Sequence, residues 1–335
     1  MKQKGLNLSR SVRQNIVLLA LILVEMVLFT IMNGRFLTLY NLMNIVRQNV
    51  PNVIIAGAMA LVIISGAIDL SVGGVMALSA VVYGKLCVWG VNSWLAIVPV
   101  LVLGVFIGWV NKFISETLGI PAIMATLATW LASAGLALTL CQAIPISDPE
   151  VKPITVLNAT KLFGGKIPLA LFISVFFVAV FLFLEKRTLL GKYAVSIGGN
   201  ANAAIFSGIN VRRMRLIYFS MCSVMACLAG IWQVARLGSA DPKIGTGMEF
   251  SVLSACILGG VNIKGGEGSV LGAVIGVYLL AILTNGMQMM NIDDFYQQVV
   301  IGIVLLGAVL INQLGSMYTA RKALLTVGKK AAGNA

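Results

Sequence analysis

The stretch "PLALFISVFFVAVFLFL" (168–184) carries no charged residue. A surface helix of a water-soluble protein keeps a charged or polar face; this run keeps none. Its length is close to the ~20 apolar residues that cross a bilayer as a helix. Working outward, "NIVLLALILVEMVLFTIM" (15–32) has the same character. "QVVIGIVLLGAVLI" (298–311) is a shorter version whose polar neighbours extend it. One such run would be an anchor, but a series makes a polytopic membrane protein. Composition agrees. The chain of 335 residues is 59% hydrophobic and 10% charged, with a mean hydropathy of +0.98. Soluble domains carry about 25% charged residues.

The pattern predicts an all-α integral membrane protein with about ten transmembrane helices. The apolar runs fall roughly at 15–33, 46–65, 71–88, 94–112, 121–141, 168–185, 215–236, 250–262, 269–289 and 296–314. An even count returns both termini to one side, and Lys and Arg choose the side. Sixteen basic residues then share one side, among them Lys2, Arg13, Lys186, Arg187, Arg212, Arg213 and Lys264. Eight share the other, among them Lys85, Lys152, Lys161, Arg236 and Lys243. Both termini are therefore expected in the cytoplasm. Residues 1–335 form a single membrane domain with cytoplasmic tails at 1–14 and 315–335 and a cytoplasmic loop at 186–214. The first run is too long for a signal-peptide core, and no small-residue cleavage site follows it promptly, so it reads as an uncleaved span.

Several function classes drop out. The chain has no histidine, which removes Ser-His-Asp triads and zinc sites with His ligands. The five cysteines, Cys87, Cys141, Cys222, Cys227 and Cys256, form no C-x-x-C pair and read as small buried residues. The net charge of +13 sits in loops as a topology signal, without the aromatic interleaving of a nucleic-acid surface. No phosphate-loop pattern G-x-x-x-x-G-K-[ST] occurs. Trp89, Trp94 and Tyr296 fall at the outer interface, as in an aromatic belt. Trp109 and Trp130 lie deeper and either pack or stack on a passing sugar ring.

Three polar or glycine-rich passages interrupt the apolar pattern. "SGAIDLSVGG" (65–74) holds Asp69 and Ser71. Either residue can cap the span that follows, and Asp69 can alternatively serve as an ion or proton site. "RLGSADPKIGTGMEF" (236–250) breaks the second half at the matching place. The match suggests two inverted five-helix halves. "ILGGVNIKGGEGSVLGAVIGV" (257–277) sets Gly265, Gly266 and Gly268 at a tight turn. Gly268, Gly272 and Gly276 have the spacing of a close-packing helix face. Finally, "GGNANAAIFSGINVRRMR" (198–215) is polar and basic. Its "NANAAIF" (200–206) reads as a short helix between glycines, suited to a partner's groove; a plain connecting loop is the other reading.

Taken in order, "GAIDLSVGG", "GGNANAAIFSGINVRR", "LAGIWQVARLGSADPKIGTGMEF" and "LGGVNIKGGEGSVLGAVIGV" resemble the motifs of ribose-type sugar permeases. These are membrane subunits of bacterial ABC importers for ribose, xylose, arabinose, galactose and autoinducers. Ala67 and Asn262 depart mildly from the usual pattern. The resemblance implies import of a ribose-like monosaccharide or related small polyol across the cytoplasmic membrane. It implies a second permease subunit (homodimer or heterodimer), a cytoplasmic ABC ATPase that holds the ATP and Mg, and an extracytoplasmic solute-binding protein. No cofactor, metal or nucleic acid is expected on this chain, and it is not expected to be an enzyme. Gly198, Gly199, Asn200, Ala203, Ala204, Ser207 and Gly208 would form the ATPase-coupling helix. Asn49, Asn52, Trp130, Asn285 and Gln288 are candidates for lining the path, because uncharged sugars need hydrogen-bonding groups. A permease for nucleosides or branched-chain amino acids is the nearest alternative, and an ion-coupled secondary transporter is the alternative from another class.

Overall fold

A computed structural model describes residues 10–293, 295–304, 306–307 and 310. The described residues are mostly helical. In order come α1 (Arg10–Met32), α2 (Leu39–Ile64), α3 (Val72–Val88), α4 (Ile97–Lys112) and α5 (Ala122–Leu140). A 3-10 turn (Pro149–Thr155) leads to α6 (Val156–Ala159), and a hairpin of β1 (Lys161–Leu162) and β2 (Ile167–Pro168) follows. Then come α7 (Leu169–Arg187), α8 (Leu189–Gly199), α9 (Ala201–Phe206), α10 (Val211–Leu237), α11 (Met248–Leu258) and α12 (Val270–Met289). The last described helix, α13, covers Phe295–Val304.

Seven of these, α1, α2, α4, α5, α7, α10 and α12, are long and apolar enough to cross a membrane. The helices α3, α11 and α13 are apolar but shorter. At 1.5 Å per residue, α11 is only about 16 Å long, half a bilayer core. The expected tail at 1–14 is partly helix, since α1 starts at Arg10; residues 1–9, the tail at 315–335 and the end of the run 296–314 lie outside the described residues. The expected loop at 186–214 is mostly helical, because Thr188 caps a helix not expected there: its Oγ1 accepts from Leu190 N–H at 3.2 Å.

The core sits around α2. From Val53 to Ile64 this helix is apolar and buried on every side, the signature of a helix enclosed by others. It packs against α7, α10, α11 and α12, while α10 also lies on α3 and α4 and α3 lies on α5. The outward faces of α1, α4, α5 and α7 expose Leu23, Phe106, Leu131 and Phe176. So much exposed apolar surface suits acyl chains, not water. Pro51 inside α2 has no N–H for the carbonyl one turn earlier. That carbonyl, on Arg47, accepts instead from the Trp232 indole of α10 at 3.2 Å.

Small residues let backbones touch, as expected where lipid supplies no hydrophobic drive between helices. A Cβ at Gly108 would overlap the backbone of α10 at Ser220. On α12 the expected stripe of three glycines is reduced to two. Gly268 lies before the helix at φ +152°, and only Gly272 and Gly276 approach the carbonyls of Gly259, just past the end of α11, and Ala255 on α11. The five cysteines are all free and buried.

Candidate functional site

Two breaks organise the interior. After α2 the chain runs unwound through 65–71 before α3, and after α10 it runs unwound through 238–247 before α11. Unwound backbone inside a membrane protein survives only if its polar groups find partners. In the first break the partners are side chains. Thr126 on α5 accepts from Leu70 N–H at 3.1 Å and donates to the Ala122 carbonyl of its own helix. Asp69, with no exposed surface, accepts from the N–H of Ser71 at 2.9 Å and from its hydroxyl at 2.5 Å. Asn111 on α4 donates to the same hydroxyl at 3.0 Å. Asp69 thus braces the break at Ser71, one residue before α3; among the described residues neither the Asp69 nor the Ser71 side chain accepts from an N–H of the first turn of α3, so the capping reading is not met.

The two breaks meet. Gly73, in the first turn of α3, lies directly against the Gly245 carbonyl and the Glu249 carboxylate at the start of α11. Glu249 is 1% exposed, and the Trp130 indole on α5 is directed at it. A carboxylate beside a helix N-terminus offsets its partial positive charge. Trp130 therefore stands beside this junction and not beside the other candidates for the path.

At one end of the bundle, three glycine-bearing segments converge on the C-terminus of α2. Gly266 N–H donates to the Ile64 carbonyl at 2.8 Å. Gly198 lies flat over that bond, so a Cβ there would overlap the Ile64 carbonyl and the Gly266 nitrogen. Gly265, at φ +85°, abuts Gly66 and Gly198. Arg215 on α10 closes the ring: its Nη1 donates to Ser65 Oγ at 3.3 Å, and its Nε pairs with Glu116 at 3.4 Å. Glu116 sits in the π-helical turn Phe113–Thr117 that continues α4.

This platform carries α9. Asn200 caps it, accepting from Ala203 N–H at 3.0 Å. Ser207 Oγ donates back to the Ala203 carbonyl at 2.9 Å, and Gly208 takes the left-handed conformation that ends the helix. Gly199 meets nothing where a side chain would stand. Ala203 is exposed, but Ala204 is turned into the bundle at 3% exposure. The outward surface belongs to two residues that the sequence reading passed over, Ile205 (55% exposed) and Phe206 (90%). A near-fully exposed Phe at the end of a capped helix is a projecting apolar knob.

A polar cleft of roughly 230 Å³ opens between α2, α10, α11 and α12. It gathers three of the residues singled out from sequence, Asn49, Asn52 and Asn285, and adds Gln48, Arg236, Ser251 and Thr284. Gln288 is exposed outside it. The amides differ in what they have left to offer. Asn285 is locked to Asn41 in a reciprocal pair at 2.8 and 3.2 Å. Asn49 donates to the Ile45 carbonyl and accepts from Asn52, both at 2.9 Å. Asn52 keeps one buried oxygen, Oδ1, with no partner among the described residues.

A family described as branched-chain amino acid transport system / permease component matches residues 41–309, which hold both breaks, the platform and the cleft. The chain belongs to that permease family. Among its relatives, the ribose import permease protein of Escherichia coli K12 is 36% identical over 299 residues, covering 87% of this permease and 91% of that protein. The ribose import permease protein of Bacillus subtilis 168 is 34% identical, covering 86% and 89%. The xylose transport system permease protein of Escherichia coli K12 is 31% identical, covering 91% and 92%. No solved structure matches the permease. The resemblance read from the four motifs is thus borne out at family level, in a multi-pass membrane protein.

Proposed function

We propose that the chain is the membrane-spanning permease subunit of an ATP-driven importer for a ribose-like sugar in the bacterial cytoplasmic membrane. The observation that carries this reading is the identity to ribose and xylose permeases along nine-tenths of the chain. The name of the broad family points to branched-chain amino acids, but the individual relatives named above carry sugars in their names. In this reading α3, α11 and α13 complete a set of ten crossing or half-crossing helices. The matched breaks at 65–71 and 238–247 make the two halves inverted repeats, a common transporter plan. Both termini and α8–α9 face the cytoplasm. A second permease subunit, a solute-binding protein outside and an ATPase inside complete the machine. ATP and Mg belong to that ATPase.

Force transfer follows from the platform. α9 is too short to hold its place alone, but Gly198 fixes its root to the end of α2, and Arg215 ties α2 to α10 and α4. A push on α9 therefore reaches the three helices that frame the interior. The test is reconstitution. D-ribose uptake into vesicles should require ATP and the ATPase subunit; uptake by the permease alone, or preferential uptake of leucine, would sink the reading. A cysteine placed at Asn202 should react with a membrane-impermeant maleimide in inside-out vesicles and not in intact cells.

Phe206 supplies the sharpest test of docking. Aromatic anchors that fill a partner's pocket contribute about 2 kcal/mol or more. Phe206→Ala should leave insertion and folding intact, because the side chain touches little of its own chain. It should weaken co-purification with the ATPase at least about tenfold. Unchanged co-purification would place the contact elsewhere.

A further inference from the structure

Among the described residues, Arg236 is the one positively charged side chain in the cleft, set in the last turn of α10. Its position near a helix C-terminus offsets part of the cost of burying the charge. Among the described residues no carboxylate pairs with it. The guanidinium therefore brings a fork of N–H donors that the protein itself does not use up. In the same cleft Asn52 Oδ1 is a buried acceptor without a donor. The neighbouring Asn49 is spent within α2, on the Ile45 carbonyl and Asn52, Asn285 is spent on Asn41, and Ser251 donates to the Gly247 carbonyl at 3.1 Å.

We infer that Arg236 and Asn52 read the hydroxyl groups of the passing sugar, the guanidinium donating to two adjacent hydroxyl oxygens and Asn52 Oδ1 accepting from one of them. The inference rests on the sugar-permease reading above and names the residues that recognise the cargo. The chemistry admits two ligand classes, a polyol and a zwitterionic amino acid, and the sugar-permease reading decides for the first. A carboxylate or phosphate satisfies the fork but meets the lone pairs of Asn52 Oδ1. An ammonium group satisfies Oδ1 but is repelled by the guanidinium. A hydroxyl both donates and accepts, so a pair of neighbouring hydroxyls answers both groups at once. Lining amides without a second charge also keep the grip weak enough for release, and the cleft's volume suits one monosaccharide ring.

The test uses the complete importer in vesicles with radiolabelled D-ribose, 2-deoxy-D-ribose and 3-deoxy-D-ribose. Each variant rate is divided by the wild-type rate for the same sugar, which cancels selectivity contributed by the binding protein. Arg236→Gln, Arg236→Lys and Asn52→Leu should each cut D-ribose uptake about tenfold, the worth of one hydrogen bond to a charged or buried partner. The loss should be several-fold smaller for the deoxy sugar that lacks the hydroxyl being read. Arg236→Lys keeps the charge and the helix-end interaction while losing the fork, so it serves if the Gln variant folds poorly. Equal ratios for all three sugars would overturn the inference and leave Arg236 as a helix-end charge. Wild-type importer that moves none of the three sugars would instead overturn the sugar reading, and the inference with it.

Discussion

Gly198→Ala abolishes uptake and lowers the thermal unfolding midpoint of the purified permease: that is the expected result, although the change adds a single methyl. The methyl has nowhere to go. Its neighbours would be the Ile64 carbonyl and the Gly266 nitrogen, both backbone atoms already joined by a 2.8 Å hydrogen bond. A flexible side chain could step aside, but the end of α2 cannot, because Arg215 and Gly265 hold it from two other directions. Overpacking against fixed backbone costs roughly 3 kcal/mol. The adjacent Gly199→Ala is the control. Nothing stands where its methyl would go and its backbone is not left-handed, so its unfolding midpoint should match wild type. A Gly198→Ala protein with normal stability and normal uptake would mean that the platform is not a rigid joint.

Asp69 separates hydrogen bonding from charge. Asp69→Ala strips the acceptor from the N–H and the hydroxyl of Ser71, both inside the protein. Each buried group left unpaired costs about 1–3 kcal/mol. The first break should then lose its shape, and folded protein should fall steeply, as read by size-exclusion chromatography of the detergent extract. Asp69→Asn keeps a carbonyl oxygen that can accept both bonds. Both become neutral hydrogen bonds, at a cost of about 0.5–1 kcal/mol in each, so uptake should stay within about tenfold of wild type. If Asp69→Asn folds normally yet transports nothing, the carboxylate is an ion or proton carrier and the importer is coupled to a gradient.

The long helices were legible because lipid leaves only one way to satisfy a backbone over twenty residues. The start of α9 was legible for a local reason: Asn200 follows two glycines and precedes small residues, which is a capped start. The outward surface of α9 was not. Ala203 and Ala204 look alike in sequence, and only the packing of α8 on the bundle decides that Ala204 turns in and Phe206 out. Asn49, Asn52 and Asn285 stood out as amides among apolar neighbours, but the Asn41–Asn285 pairing joins residues 244 positions apart and no local pattern reports it. Arg236 was counted with the loop charges because it ends an apolar run. The Gly104 and Gly108 spacing on α4 was readable by the same rule as the α12 stripe and was passed over.

The unwound stretch between α2 and α3 is held by its own Asp69 and by Thr126 of α5 and Asn111 of α4. It resembles a riveted seam more than a soft elbow: opening it would strand several polar atoms together in an oily interior. Whatever displacement the subunit makes must therefore occur by whole blocks of helices tilting as units about such seams, with the bend supplied by sliding contacts between blocks and none of it by local melting.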